Sequence, residues 1–174
     1  MAEVLRYFDA LEIGWCLRIN RYGQAIVLRR FFALVSRFGD GHFWVCMAAV
    51  CIVLRGAEAI PFVIQAALTA AAGILVYRLL KDCLNRERPY IANGRILCGT
   101  PPLDRYSFPS GHTLHAVSFT ILFAHFEPML LVVAAPFAIL VALSRVVLGL
   151  HYPSDVLVGA AIGASLAMFS LAVV

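Results

Sequence analysis

Lys81 is the only lysine in this chain of 174 residues, and Arg88-Pro89 follows seven positions later. Two more polar groups interrupt the apolar sequence downstream: Pro109-Ser110-Gly111-His112, then Ser144-Arg145 with His151 and Asp155. Fixed cations, histidines and a carboxylate are unfavourable in apolar surroundings unless they are paired or used. Together they suit one kind of chemistry. Lysine offers a phosphoryl oxygen a point charge, and arginine offers it a planar fork. A histidine four residues ahead of an aspartate can give its Nδ1 proton to the carboxylate and leave the other nitrogen as a nucleophile. A second histidine can protonate the leaving oxygen.

Each group also has a plainer use. On a continuous helix Lys81 and Arg88 would stack two turns apart and anchor it at a membrane boundary. Pro89, however, disfavours helical geometry at Arg88 and turns that side chain inward. Ser110 suits a helix N-cap, Gly111 lets backbone N–H groups approach an anion, and His112 falls in the first turn. The same residues also make an ordinary cap followed by a packed histidine. His151 and Asp155 would equally tie a turn, with Arg145 as an interfacial anchor. A shared role accounts for all of them: Lys81, Arg88 and Arg145 on the equatorial oxygens, helped by N–H groups at 110–112, with His151 in line, Asp155 orienting it and His112 on the leaving group. The three cations argue against a divalent ion held by His112, His115, His151 and Asp155.

Those residues need elements to bring them together. Hydrophobic residues make up 62% of the chain and charged residues 14%, with a mean hydropathy of +0.87. A soluble domain is about 45–50% apolar and about 25% charged, so the composition indicates an all-α integral membrane protein, a single domain over residues 1–174. Apolar stretches near the roughly 20 residues that cross a bilayer lie at about 42–58, 60–80, 111–126, 128–149 and 154–174, predicting five transmembrane helices. Pro128 and Pro153 mark helix starts, and Pro136 predicts a kink. In residues 1–40, Val4, Phe8, Leu11 and Trp15 form a helical stripe, and Arg29-Arg30 break the apolar run 25–36. Two N-terminal interfacial helices are therefore predicted ahead of a transmembrane bundle over 41–174. The polar interval 81–110, rich in Asn, Gly and Pro, reads as a catalytic loop. With five spans, the 1–40 segment, this loop and the 150–153 turn share one face of the membrane.

The net charge of +4 rests almost wholly on arginine, which suits phosphate or anionic headgroups. No soluble recognition motif accompanies it, so nucleic acid is not an expected partner. Glu3, Arg6, Asp9 and Glu12 interrupt the place where the apolar core of a signal peptide would lie. The five cysteines show no metal spacing. Cys16, Cys46 and Cys51 read as small hydrophobes; Cys83 and Cys98 flank the polar loop and could pair in an oxidising compartment.

On the residues above, the sequence resembles the type 2 phosphatidic acid phosphatase superfamily. Lys81-x6-Arg88-Pro89, Pro109-Ser110-Gly111-His112 and Ser144-Arg145-x5-His151-x3-Asp155 match its three signatures in order and spacing. The resemblance implies a helical bundle and a phosphatase that needs no metal or other cofactor and works through a phosphohistidine. It implies His151 as nucleophile, His112 as acid and Asp155 as orienting group, with Lys81, Arg88, Ser110, Gly111 and Arg145 binding phosphate. It further implies a lipid phosphate or diphosphate substrate, undecaprenyl diphosphate by the nearest analogy. Phosphatidylglycerophosphate, phosphatidate and lipid A are alternatives, and a lipid phosphotransferase would use the same site. Membrane lipids are the other expected partners, and no sequence feature bears on oligomeric state. His115, Asp104 and Arg105 lie outside the signatures; His115 is expected to pack, and Asn85, Arg86, Glu87, Tyr90, Tyr106 and Tyr152 to shape headgroup access. The arginines of residues 1–40 would by the positive-inside rule put the catalytic face in the cytoplasm. The resemblance instead implies the plasma (inner) membrane with the site facing the periplasm or exterior.

Overall fold

The computed structural model describes residues 2–102 and 104–173, with the backbone alone over 2–10. All regular structure among the described residues is helical: α1 (Ala2–Asn20), α2 (Ile26–Gly39), α3 (His42–Arg55), α4 (Ala59–Leu84), α5 (Pro89–Ala92), α6 (Gly111–Phe126), α7 (Leu131–Val147) and α8 (Pro153–Val173). Each predicted apolar stretch forms a helix, namely α3, α4, α6, α7 and α8. Three helical segments, His42–Ala92, Pro128–Val147 and Pro153–Val173, are long and apolar enough to cross a membrane. Their outer surfaces are apolar too: Val53, Val132, Leu157 and Phe169 are all exposed. Helices apolar on their outer as well as their inner faces belong in lipid, and the chain is a membrane protein. Of the predicted N-terminal stripe, Leu11 and Trp15 face outward while Cys16 and Asn20 turn inward; Val4 and Phe8 lie outside the described side chains.

Helix α6 runs through the middle, against α4, α7 and α8. Gly159 and Gly163, one turn apart on α8, allow the closest of these approaches. A Cβ at Gly159 would stand 2.5 Å from the Ser110 carbonyl oxygen, and one at Gly163 would collide with that of Leu114. Aromatic rings fill the adjoining core, with Phe43 stacked on Phe137 at 3.8 Å and Phe62 on Phe126 at 4.3 Å between centroids. A polar tie joins α4 to α8, where Thr69 Oγ1 donates to Ser170 Oγ at 2.9 Å and Gln65 Nε2 to the same oxygen at 3.1 Å. Such interhelical hydrogen bonds suit a membrane interior, where no water competes for the partners.

Helix α4 stops one turn after Lys81 because Asn85 adopts a left-handed conformation, φ 48° and ψ 35°, a conformation Asn tolerates better than most residues. Arg88 is extended at φ −77° and ψ 149° ahead of Pro89, as the proline requires.

Candidate active site

The candidate residues arrive from four chain segments. Lys81 comes from the last turn of α4 and Arg88 from the extended segment that follows. Ser110 caps α6, its Oγ accepting from Thr113 N at 3.5 Å, and Ser110 N donates to Asp155 O at 3.0 Å, so the first turns of α6 and α8 are joined. Gly149, at φ 72°, folds the α7–α8 turn back so that Leu150 N and His151 N both donate to Arg145 O, at 3.0 and 3.1 Å. That turn sets His151 beside Arg145. Lys81, Arg88, Gly111, His112, Arg145 and His151 line one cavity of about 560 Å³; Ser110 and Asp155 are buried behind its wall. The apolar part of the lining includes Trp44, Ile74 and Phe119.

An internal carboxylate is clasped by the cations. Lys81 Nζ donates to both oxygens of Asp104 at 2.7 Å, and Arg88 Nη2 donates to Oδ1 at 2.7 Å. Arg88 is further fixed by Leu150 O, 2.8 Å from Nη1. Burial alone would raise the Asp104 pKa, but the hydrogen bond and charge of Lys81, with Arg88, hold it below the usual carboxylate range. Arg88 Nη1 also lies 3.3 Å from His151 Nε2; a guanidinium has only protons to offer, so that nitrogen presents its lone pair. Burial, and then the charges of Arg88, Arg145 and Lys81, keep the His151 pKa well below 6.5. The ring is therefore neutral at pH 7, the form a nucleophile needs. Arg145 donates through Nη1 to Ser36 Oγ on α2, while its Nε has no hydrogen-bond partner among the described residues. His112 Nε2 faces the Asp40 carboxylate. Burial pushes Asp40 up, but the hydrogen bond and charge of His112, with Arg145 and His42, bring it below the ordinary value.

The expected His151–Asp155 hydrogen bond is not formed. Nδ1 stands 3.5 Å from Asp155 Oδ2 and makes no hydrogen bond. Asp155 is occupied elsewhere: Oδ2 accepts from Tyr152 N at 2.8 Å and from Ser107 Oγ, and Oδ1 from Arg86 Nη1 at 2.6 Å. Arg86 and Tyr152 therefore do not shape headgroup access. Both are buried, with the guanidinium 4.0 Å over the phenol ring, and Arg86 Nη2 reaches Glu12 Oε2 at 2.7 Å. His115 packs as expected, stacked on Phe119 at 5.9 Å, and also lines the cavity. Cys83 and Cys98 are both free thiols. Ser36, Asp40 and Ser107 were not singled out from sequence, and Glu12, Arg86 and Asp104 were named there without these roles. One signal pointed their way: buried cations need counter-charges, and the acidic residues on the catalytic face were the available donors of charge.

A sequence profile of the PAP2 superfamily matches residues 62–174. The chain belongs to the PAP2 superfamily. It is similar to the decaprenylphosphoryl-5-phosphoribose phosphatase of Mycobacterium tuberculosis, 34% identical over 149 residues that cover 82% of this chain and 81% of that one. The undecaprenyl-diphosphatase of Sulfolobus acidocaldarius is 25% identical over 156 residues, covering 88% and 74%. Among solved structures, that of Aquifex aeolicus LpxE superposes with a TM-score of 0.70 at 27% identity, covering 88% of this chain and 92% of that one. The chain is a phosphatase of this superfamily, with its signatures drawn around the cavity just described.

Proposed function

We propose that this PAP2 phosphatase hydrolyses a membrane lipid phosphate or diphosphate, undecaprenyl diphosphate foremost, through a phosphohistidine on His151. One observation carries the reading: two buried cations, Lys81 and Arg88, hold an oxyanion, the Asp104 carboxylate, and the same Arg88 guanidinium lies 3.3 Å from His151 Nε2. A phosphoryl group in that position receives charge from Lys81, Arg88 and Arg145 and N–H groups from the α6 N-terminus near Ser110 and Gly111. Nε2 attacks phosphorus, the bond to the leaving oxygen breaks, and His112 supplies that oxygen's proton. Water then opens the P–N bond, giving its proton to His112 and releasing phosphate. Asp155, fixed by Arg86, Ser107 and Tyr152, sets the electrostatic background of His151.

The cations provide the positive charge that this chemistry calls for, so turnover is expected to survive chelation. The names of the mycobacterial and archaeal relatives, both polyprenyl lipid phosphatases, support the substrate class. In this reading residues 1–174 form one multi-pass domain. α1 and α2 lie in the interface, α3, α4, α6, α7 and α8 span the plasma membrane, and the 81–110 loop covers the site on the external face. The test is phosphate release from undecaprenyl diphosphate by the purified protein, blocked by vanadate and abolished in His151→Ala. Full turnover by that variant would rule out the phosphohistidine.

A further inference from the structure

A second cavity of about 450 Å³ adjoins the first, between α2 and the loop that precedes α6. Arg30, Ala33, Leu34 and Arg37 line it from one face of α2, at the i, i+3, i+4, i+7 spacing that makes a single helical stripe. The two guanidinium-bearing positions are about 10 Å apart along the axis at ~1.5 Å per residue. Neither guanidinium has a hydrogen bond or ion pair among the described residues. The groove holds three guanidiniums, those of Arg30, Arg37 and Arg145, and one carboxylate, Asp40, which His112 already faces. Its surplus charge is positive, and guanidinium forks match phosphate oxygens.

The groove's position tells which part of a substrate it meets. Asp40 lies one turn beyond Arg37 and pairs with His112, the residue that serves the leaving oxygen in the reading above. The groove is therefore on the leaving-group side of the reaction. Asp40, His112 and Arg145 line both cavities. A group seated at that junction meets Arg37, while a chain attached to it still runs along Trp44, Ile74 and Phe119.

We propose that Arg37 and Arg30 form a second phosphate subsite, which selects lipids whose scissile phosphate is followed by another phosphate, as in a diphosphate or a phosphodiester-linked sugar phosphate. The proposal rests on the lipid phosphatase reading and adds the leaving group to it. The experiment compares kcat/KM for a polyprenyl diphosphate and the polyprenyl monophosphate of the same chain length, in neutral detergent micelles. In Arg37→Gln the preference for the diphosphate falls about tenfold, the effect of one lost charge-assisted contact, and mainly through KM. Arg30→Gln produces a smaller fall, and Arg37→Lys recovers part of it. An unchanged preference in both glutamine variants overturns the proposal. So does an equal loss on both lipids that appears only in vesicles containing anionic lipid, because the arginines would then be headgroup anchors for α2. Wild-type protein that turns over neither lipid overturns this subsite and the polyprenyl-substrate reading together.

Discussion

A carboxylate that takes two hydrogen bonds from Lys81 and one from Arg88 competes with any phosphate needing the same donors. Lys81 and Arg88 are 6% and 1% exposed in their side chains, against 39% for Asp104, so the loop residue is the partner free to leave. Asp104→Asn weakens that competition and is expected to lower the vanadate inhibition constant roughly tenfold, since the binding-competent fraction rises; a weaker affinity would instead make Asp104 a required organiser of the cations. His151 supplies a pH dependence. Its folded-state pKa is depressed by burial and by Arg88, Arg145 and Lys81, so protonation favours the unfolded chain. The stability it contributes is complete above the unfolded-state value near 6.5 and is lost as pH falls from there toward the folded value. Asp104 and Asp40, also depressed, act lower, below about pH 4. The thermal midpoint in detergent should therefore be flat at neutral pH and decline below about 6.5, and less steeply in His151→Asn.

Helix α1 reaches the catalytic turn through Asn20, which donates to Val147 O at 3.0 Å, and through Glu12. Glu12 accepts from Ser154 N and Ser154 Oγ at 2.7 and 2.6 Å, and from Arg86 Nη2 at 2.7 Å. It thus satisfies a free N–H in the first turn of α8 from a different helix, where negative charge also suits the helix dipole. Arg86 passes the link to Asp155. Removing one partner of a buried pair costs about 3 kcal/mol or more, so Glu12→Ala is expected to lower both thermal stability and kcat, with KM little changed because Lys81, Arg88 and Arg145 remain in place. Glu12→Gln keeps an acceptor for Ser154 and should retain more of both. A wild-type kcat in Glu12→Ala would show that α1 only decorates the bundle. None of this was legible in the sequence, whereas the helices themselves were. Long apolar runs, the prolines at 89, 128 and 153, and the Ser110 cap are local signals. So is the repeated presence of polar groups at the ends of apolar stretches, which exposed Lys81, Arg88, His112, Arg145 and His151. Glu12, Asp40 and Asp104 are single acidic residues without periodicity, and only the packing of α1 and α2 on the bundle, and for Asp104 the fold of the 81–110 loop back onto Lys81, assigns them partners. Asp155 shows the same limit from the other direction. Its spacing from His151 suggested a direct hydrogen bond, but Ser107 and Arg86, distant in sequence, take up its oxygens.

At the scale of the molecule the charges separate into two ends. One end carries the site, the 81–110 loop and the arginines of α2; the other carries the Arg55–Glu127 pair at 2.7 Å, beside the short link after α3. A count of arginines near the first end would send it to the cytoplasm. That rule concerns basic residues in loops that must be retained during insertion, and Arg86, Arg88 and Arg145 are instead buried, held respectively by Asp155 and Glu12, by Asp104, and by Ser36. With those three assigned to the site, the remaining bias rests mainly on α1 and α2, whose amphipathic character suits an interface on either side. The family resemblance then favours the exterior. Cys98, exposed on the catalytic loop, reports the answer. In a protein retaining only that cysteine, a membrane-impermeant maleimide should label intact cells, and a cysteine placed by Ala57→Cys at the opposite end should react only after permeabilisation. The reverse pattern would place the site in the cytoplasm and require a substrate presented on the inner leaflet, with the chemistry at His151 unchanged.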